Sequence, residues 1–267
     1  MKTIVMKFGG KAVEKTERFP LIADLILKRK KEFGRVVVVI SAMGNLTDQL
    51  IKLAYSICDE PPKREYDMLV SVGERISIAL LAMALHTKGC EAVSFTGSQS
   101  GIITTNDHTD ARIIDVRPDR LLPPLQEGKI VIVAGFQGVS STKEITTLGR
   151  GGSDTTAVAV ASALNAKRVE FYKDVPGIFE EDPQKSLCQE HFHKLNFEEA
   201  LAIVEKTGGR VLAPRAILLA KKNQMPLVVR SFCEEFQDSL GTCISEESPK
   251  PKKPGYESEG AIASQNN

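Results

Sequence analysis

Val36-Val37-Val38-Val39-Ile40 is an unbroken run of five β-branched residues, and it leads straight into Ser41-Ala42-Met43-Gly44-Asn45-Leu46-Thr47. Branching at Cβ suits an extended backbone. A run with no polar alternation is what a strand buried on both faces requires. The stretch predicts a strand inside a helix-covered parallel sheet, with a polar turn at its carboxyl end.

The pattern repeats on either side. Residues 3–8 form a short apolar run ending in Gly9-Gly10, and residues 130–134 form another ending at Gly135. Shorter strands are predicted over 92–95, 169–172 and 227–229. Between them, helical spacing covers 17–33 (Phe19, Ile22, Leu25, Ile26), 47–57 (Leu50, Leu53, Ala54, Ile57) and 67–85, the last bent near Gly73. Further helices are predicted over 153–164, 197–204 and 214–222. The basic Lys28-Arg29-Lys30-Lys31 reads as a solvated helix end, favourable beside the C-terminal dipole. Strands alternating with helices imply an α/β fold with a largely parallel sheet. Ligands in such folds sit beyond the carboxyl ends of the strands.

Composition narrows the field. The 267 residues suffice for one large α/β domain or two closely packed lobes. A formal net charge of +1 argues for neither nucleic-acid nor membrane partners. Five scattered cysteines (Cys58, Cys90, Cys188, Cys233, Cys243) form no C-x-x-C pair and suit reduced thiols in a cytoplasmic protein. The first seven residues are too short and too soon interrupted for a signal peptide. No apolar run is expected to approach the roughly 20 residues of a membrane span. Residues 246–267, which include Ser248-Pro249-Lys250-Pro251-Lys252-Lys253-Pro254-Gly255, read as a disordered tail.

Four strand ends carry polar or glycine-rich clusters. Lys7-Phe8-Gly9-Gly10 sets a cation beside backbone amides that phosphate oxygens can approach closely. Residues 41–47 offer hydroxyls and a helix start to an anion, although Thr47 also suits a plain N-cap. Gly149-Arg150-Gly151-Gly152-Ser153-Asp154 opens the next helix, with Arg150 able to grip a carboxylate and Asp154 equally suited to capping. Lys173-Asp174-Val175-Pro176-Gly177-Ile178-Phe179 is a turn on which a nucleotide base and ribose can rest. No P-loop, protein-kinase, G-x-G-x-x-G, H-E-x-x-H or G-x-S-x-G signature occurs. His191 and His193 read as a surface turn and not as metal ligands.

Taken in order, these stretches resemble the aspartate kinases of the amino acid kinase family. The likeness runs from residue 2 to residue 244. It also takes in Val72-Gly73-Glu74-Arg75 with Ser77, Gly97-Ser98-Gln99-Ser100-Gly101-Ile102-Ile103-Thr104, Gly135-Phe136-Gln137-Gly138, Thr146-Thr147-Leu148, Asp182-Pro183 and Val229-Arg230-Ser231. The resemblance implies a three-layer α/β/α sandwich over 1–245, with an amino-acid-substrate lobe over about 1–137 and a nucleotide lobe over about 138–245. It implies transfer of the γ-phosphoryl group of ATP, with Mg2+, to the side-chain carboxylate of L-aspartate. The product, 4-phospho-L-aspartate, leads towards lysine, threonine and methionine. Lys7 and Asp154 would be the catalytic pair. Ser41, Thr47, Glu74 and Arg150, with Gly151, Gly152 and Ser153, would hold aspartate. Lys7, Phe8, Gly9, Gly10, Lys173, Asp174, Phe179, Arg210 and Val211 would line the ATP site. No metal ligand is assigned to the chain, and a homodimer is expected.

The chemistry fits this reading. An aspartate side chain, with a pKa of about 3.9, is already an anion at neutral pH and needs no general base. The task is to bring two anions together, which is positioning plus charge stabilisation. The alternatives are a family member acting on glutamate, N-acetylglutamate or UMP, and a non-catalytic homologue that binds ligand and regulates a partner. The sequence departs from the family pattern at Lys11 and Lys173 (usually Thr), Arg210 (usually Lys), Ala213 (usually His) and Gln184 (usually Arg). The family's paired ACT regulatory domains would begin where this sequence stops, so it is expected to be unregulated or regulated through a part not included here.

Overall fold

The computed structural model describes residues 2–180, 190–209, 211–236, 239–246, 251 and 253–257. The strands are β1 (Lys2–Phe8), β2 (Gly34–Ile40), β3 (Ala92–Phe95), β4 (Ile102–Thr104), β5 (Ile113–Val116), β6 (Ile130–Ala134), β7 (Gln137–Ser140), β8 (Ile145–Thr147), β9 (Val169–Lys173), β10 (Lys194–Leu195), β11 (Leu227–Ser231) and β12 (Thr242–Ile244). The helices are α1 (Arg18–Phe33), α2 (Leu46–Ile57), α3 (Lys63–Val70), α4 (Val72–Thr87), α5 (Leu122–Gln126), α6 (Gly152–Ala163), α7 (Phe197–Lys206) and α8 (Pro214–Asn223).

Eight strands form the central sheet in the order β10-β12-β11-β9-β1-β2-β6-β3. Among the described residues, β11 and β12 pair antiparallel and the other neighbours pair parallel. The valine run explains itself in this setting. Successive side chains alternate faces, and here both faces are covered. Val5, Val37, Val39, Val131, Val133 and Phe171 face a core shared with α6, α7 and α8. Ile4, Met6, Val36, Val38, Ile40 and Ile132 face a second core closed by α1 and α4. The result is the three-layer α/β/α sandwich. Each fully buried Val or Ile contributes about 1.5–3 kcal/mol to this arrangement.

A second sheet, β5-β4-β7-β8, packs beside the first. The sequence assigns no strand to any of its members. They are three or four residues long, and their Thr, Gln, Gly and Ser residues carry no apolar alternation.

Three expectations are corrected. The basic cluster of α1 is not wholly solvated: Arg29 is buried and meets Glu170 of β9. The stretch Lys63–Thr87, interrupted only at Ser71, is long and apolar enough to cross a membrane by length and composition. Half of its most apolar window is buried within the molecule, and Asp67, Glu74 and Ser77 sit inside, as in a core helix. The tail reading fails for 253–257, because Glu257 docks on Arg215 and on the edge of β5. Most of the remaining tail, Cys188, Asp182-Pro183 and Gln184 lie outside the described residues.

Candidate active site

Strand register brings the motif-bearing turns to one edge. Phe8 pairs with Ile40 on one side and Tyr172 on the other, and Ile40 pairs with Ala134. The residues that follow these strand ends (Gly9, Ser41, Gly135) and Lys173, the last residue of β9, therefore share the carboxyl edge. Ser41 N–H donates to Phe8 O and Gly135 N–H to Ile40 O, which locks the turns side by side. A Cβ on Gly10 would lie 3.0 Å from the carbonyl oxygens of Ala42 and Gly44, so the first turn nests against the second.

Asp154 stands at the centre of this edge. Gly151, at φ 76°, precedes α6 in the left-handed conformation that glycine adopts without strain. A side chain there would also strike Ala213, its Cβ 2.3 Å from the Ala213 Cβ. The tight turn delivers Asp154 to the first turn of the helix. Lys7 Nζ lies 2.7 Å from its Oδ1, Lys173 Nζ 3.7 Å from its Oδ2, and Ala213 N–H donates to Oδ2 at 3.2 Å. The Lys7 contact is close but off the hydrogen-bond axis: Oδ1 has no aligned donor. Burial pushes the Asp154 pKa up, but the charges of Lys173 and Lys7 outweigh it and hold the carboxyl below its ordinary range. Burial pushes Lys173 down, Asp154 pulls it up, Lys7 pushes it down again, and the balance lies at about 8. With both lysines charged, two cations face one carboxylate, an excess of positive charge suited to an anion.

Glu74 feels the charge of Lys7, and the other groups predicted for an amino-acid ligand lie on the segments that follow β2 and β8. Helix α2 begins at Leu46, so Thr47 is inside the helix and is not its N-cap. Neither the Ser41 nor the Thr47 hydroxyl makes a hydrogen bond among the described residues, and Arg150 is exposed without an ion pair among them. Glu74, 2% exposed in the first turn of α4, accepts from Ala42 N–H through Oε1 and leaves Oε2 unpartnered. Burial raises its pKa to about 7, against the opposing pull of backbone amides and Lys7. A buried carboxylate oxygen without a donor is suited to a ligand ammonium. Gly152 and Ser153 form the start of α6 beside Asp154, both buried.

On the other side, Gly9 and Gly10 form the turn after β1, and Asp174 follows β9. Lys11 does not supply a spare cation: its Nζ pairs with Asp174 Oδ2 at 2.8 Å. The Phe179 ring stands 6.0 Å from that of His191, and Val211 is half-buried before α8. The Phe8 side chain is a correction: it is fully buried and stacks on Tyr172, ring centroids 4.7 Å apart, so only its backbone borders the turn. Arg210 lies outside the described residues. No group of three or more His, Cys, Asp or Glu suited to hold a metal ion stands among the described residues.

Sequence reasoning missed the groups that brace the Leu148-Gly149-Arg150 turn. Asp67, fully buried on α3, accepts from Thr147 Oγ1 at 2.6 Å and Thr109 N–H at 3.1 Å, and pairs with His108 Nδ1 at 2.7 Å. A carboxylate on the apolar side of a helix was the available signal.

The amino acid kinase family profile matches residues 2–231. This chain belongs to the amino acid kinase family. It is 49% identical over 245 residues to the aspartokinase of Mycobacterium tuberculosis, covering 91% of this chain and 57% of that protein. The aspartate kinase of Synechocystis superposes with a TM-score of 0.81 at 42% identity, covering 94% of this chain and 41% of that one. Escherichia coli aspartokinase III, solved with aspartate and ADP, superposes at 0.79 with 27% identity, covering 93% of this family member and 65% of the neighbour. The chain thus spans little more than half the length of the curated relative.

Proposed function

We propose that this chain transfers the γ-phosphoryl group of ATP to the side-chain carboxylate of L-aspartate, giving 4-phospho-L-aspartate and ADP. The observation that carries the reading is the Lys7–Asp154–Lys173 cluster at the carboxyl edge of the sheet, beside the unpartnered Glu74 oxygen. The relatives of about half-identical sequence that bear the aspartokinase name support it.

In this mechanism Glu74 takes the substrate ammonium and Arg150 its α-carboxylate, with the hydroxyls of Ser41, Thr47 and Ser153 at hand. The side-chain carboxylate then points towards Lys7. A carboxylate oxygen forms the new bond to the γ-phosphorus as the bond to the β-bridging oxygen breaks, and the electron pair leaves with ADP. No proton is transferred, so the step requires no histidine or cysteine base. Lys7 and Lys173 neutralise charge on the equatorial phosphoryl oxygens, and Asp154 keeps the two cations from driving each other apart. The Gly9-Gly10 turn lets phosphate oxygens approach the backbone. Asp174, Phe179 and Val211 border the nucleotide, Arg210 is assigned there by its place in the sequence, and the amino-acid site draws on Ser41, Thr47 and Glu74 together with Arg150 and Ser153.

Mg2+ would partner the nucleotide phosphates and share their charge. Mg2+ commonly rides on substrate phosphates with one or two protein carboxylates, and Asp154 is the carboxylate at the centre where those phosphates would lie.

A coupled assay of ADP release over L-aspartate, L-glutamate, N-acetyl-L-glutamate and UMP tests the reading. Glu74 favours a ligand with a free ammonium, which N-acetylglutamate and UMP lack. Activity confined to L-aspartate supports the proposal; a preference for any other member of the panel overturns it.

A further inference from the structure

The segment 253–257 lies along α8 and is held at both ends of that helix. At its last turn, Asn223 Nδ2 donates to Gly255 O at 2.8 Å, Gly255 N–H returns a bond to Asn223 Oδ1 at 2.8 Å, and Lys222 Nζ donates to Tyr256 O at 2.5 Å. The Tyr256 ring packs against the core. At the first turn of α8, Arg215 grips the Glu257 carboxylate through Nε and, at 2.8 Å, through Nη2. Glu257 also adds to the edge of β5: its N–H donates to Ile113 O at 2.9 Å, and its Oε2 accepts from Ile113 N–H at 2.8 Å.

The same guanidinium serves a second purpose. Arg215 Nη1 donates to Leu148 O and Nη2 to Ala111 O, each at 2.6 Å. Leu148 immediately precedes Gly149-Arg150, and Ala111 belongs to the loop that packs against Gly149. Asp110 Oδ1 and Thr109 O occupy the space at Gly149, 2.9 and 3.3 Å from where a Cβ would stand. Arg215 is thus one cation held on one side by Glu257 and on the other by two carbonyls of the substrate-side loops and, at 3.4 Å, by Asp110 Oδ1. The Arg215 and Glu257 side chains are largely buried, at 15% and 14% exposure, so the pair is not a freely solvated surface contact. A buried guanidinium that loses its carboxylate is costly to keep in place. The other carboxylate, Asp110, is 63% exposed and reaches Arg215 only at 3.4 Å, so the hold on Leu148 O depends chiefly on the buried Glu257.

We propose that segment 253–257 is a clasp whose Glu257, acting through Arg215, positions the glycine turn that carries Arg150. Glu257 and Arg215 are positioning residues: neither reaches the Lys7–Asp154 centre. The inference rests on the proposed aspartate site only in naming what the turn holds. The clasp itself is a matter of loop order.

Two variants in the full chain test it. Glu257→Gln weakens the grip on Arg215, and Asn223→Ala releases the other anchor without touching Arg215 or the loops. Amide hydrogen exchange reads the turn directly, through Ala111, Leu148 and Gly152, whose N–H groups are bonded to Thr147, Phe136 and Gly149 carbonyls. The expected result is faster exchange at these amides in both variants. Alongside it, the KM for aspartate rises about tenfold while kcat and the KM for ATP stay within about twofold. Unchanged exchange at these amides overturns the proposal, as does an aspartate KM within twofold of the parent. A fall in melting temperature with neither change shows a merely structural strap and overturns it too. A parent chain that releases no ADP with aspartate sinks the reaction assignment instead, and the exchange measurement still decides the clasp.

Discussion

Lys7 and Lys173 approach different oxygens of one carboxylate, Lys7 Nζ at 2.7 Å from Asp154 Oδ1 and Lys173 Nζ at 3.7 Å from Oδ2. They come from neighbouring parallel strands, β1 and β9, while Asp154 comes from the start of α6. Asp154→Asn leaves two buried ammonium groups facing each other. The expected loss is about 3–5 kcal/mol of stability, read as a lower melting temperature. Activity is expected to fall about 10²-fold or more, read as initial ADP-release rate.

Lys173 carries a pH prediction. Its pKa of about 8 means the ammonium form, to which the proposed mechanism gives the phosphate oxygens, is lost as pH rises through 8 in the free protein. The kcat/KM for ATP is expected to decline above that pH. Lys173→Arg should carry the plateau upward, because a guanidinium stays charged, and Lys173→Thr should lower the plateau and remove the decline. A pH–rate profile of the three proteins checks this.

Glu74 carries the opposite limb. In the proposed mechanism its carboxylate form holds the substrate ammonium, so kcat/KM for aspartate is expected to fall as pH drops below about 7. A raised carboxyl pKa also means that the folded protein binds more protons than the unfolded chain between about 4.5 and 7, so stability declines as pH rises through that window. Glu74→Gln removes the buried charge. It should melt higher than the parent at pH 8 and not at pH 5, while its aspartate KM rises about 10- to 100-fold. Melting curves at the two pH values and steady-state kinetics decide it.

Glu170 is a structural counterpart within the sheet. It is fully buried on β9, where it accepts from Arg29 Nε, Arg168 Nε and Tyr172 Oη, each at 2.8 Å. Burial raises its pKa, but the bonds and charges of Arg29 and Arg168 outweigh that and leave it below the usual carboxylate range. Its contribution is present above the ordinary carboxyl pKa and is lost as pH falls through the lowered one. Glu170→Ala leaves the buried Arg29 with only the half-exposed Glu32 as an ion-pair partner among the described residues and should cost about 3–5 kcal/mol in denaturant unfolding. Aspartate and ATP KM values should not change, since the residue faces α1 and not the turns.

Six strands of the central sheet were legible because their burial is written in single residues: the strand over 36–40 extends to Gly34–Ile40, and 130–134 and 92–95 agree residue for residue, whereas the two- and three-residue edge strands β10 and β12 carry too few residues to show a pattern. The second sheet was not, since Gln137-Gly138-Val139-Ser140 is polar and its partners come from distant parts of the chain. Among the site residues, Lys7, Asp154 and Lys173 could be named from strand ends and glycines. Their contact arises only when β1, α6 and β9 pack. Asp67, Arg215 and Glu257 have no motif: each is an ordinary charge made specific by the loops it bonds. Phe8 misled because adjacency to a glycine turn says nothing about which face a strand side chain takes.

The most direct test is ADP release with L-aspartate and ATP, measured for the parent chain beside Lys7→Ala. Aspartate-dependent release that falls about 10²–10³-fold in the variant, with the fold intact by circular dichroism, is the predicted result. Release that is absent from the parent, or that persists undiminished without Lys7, contradicts the account.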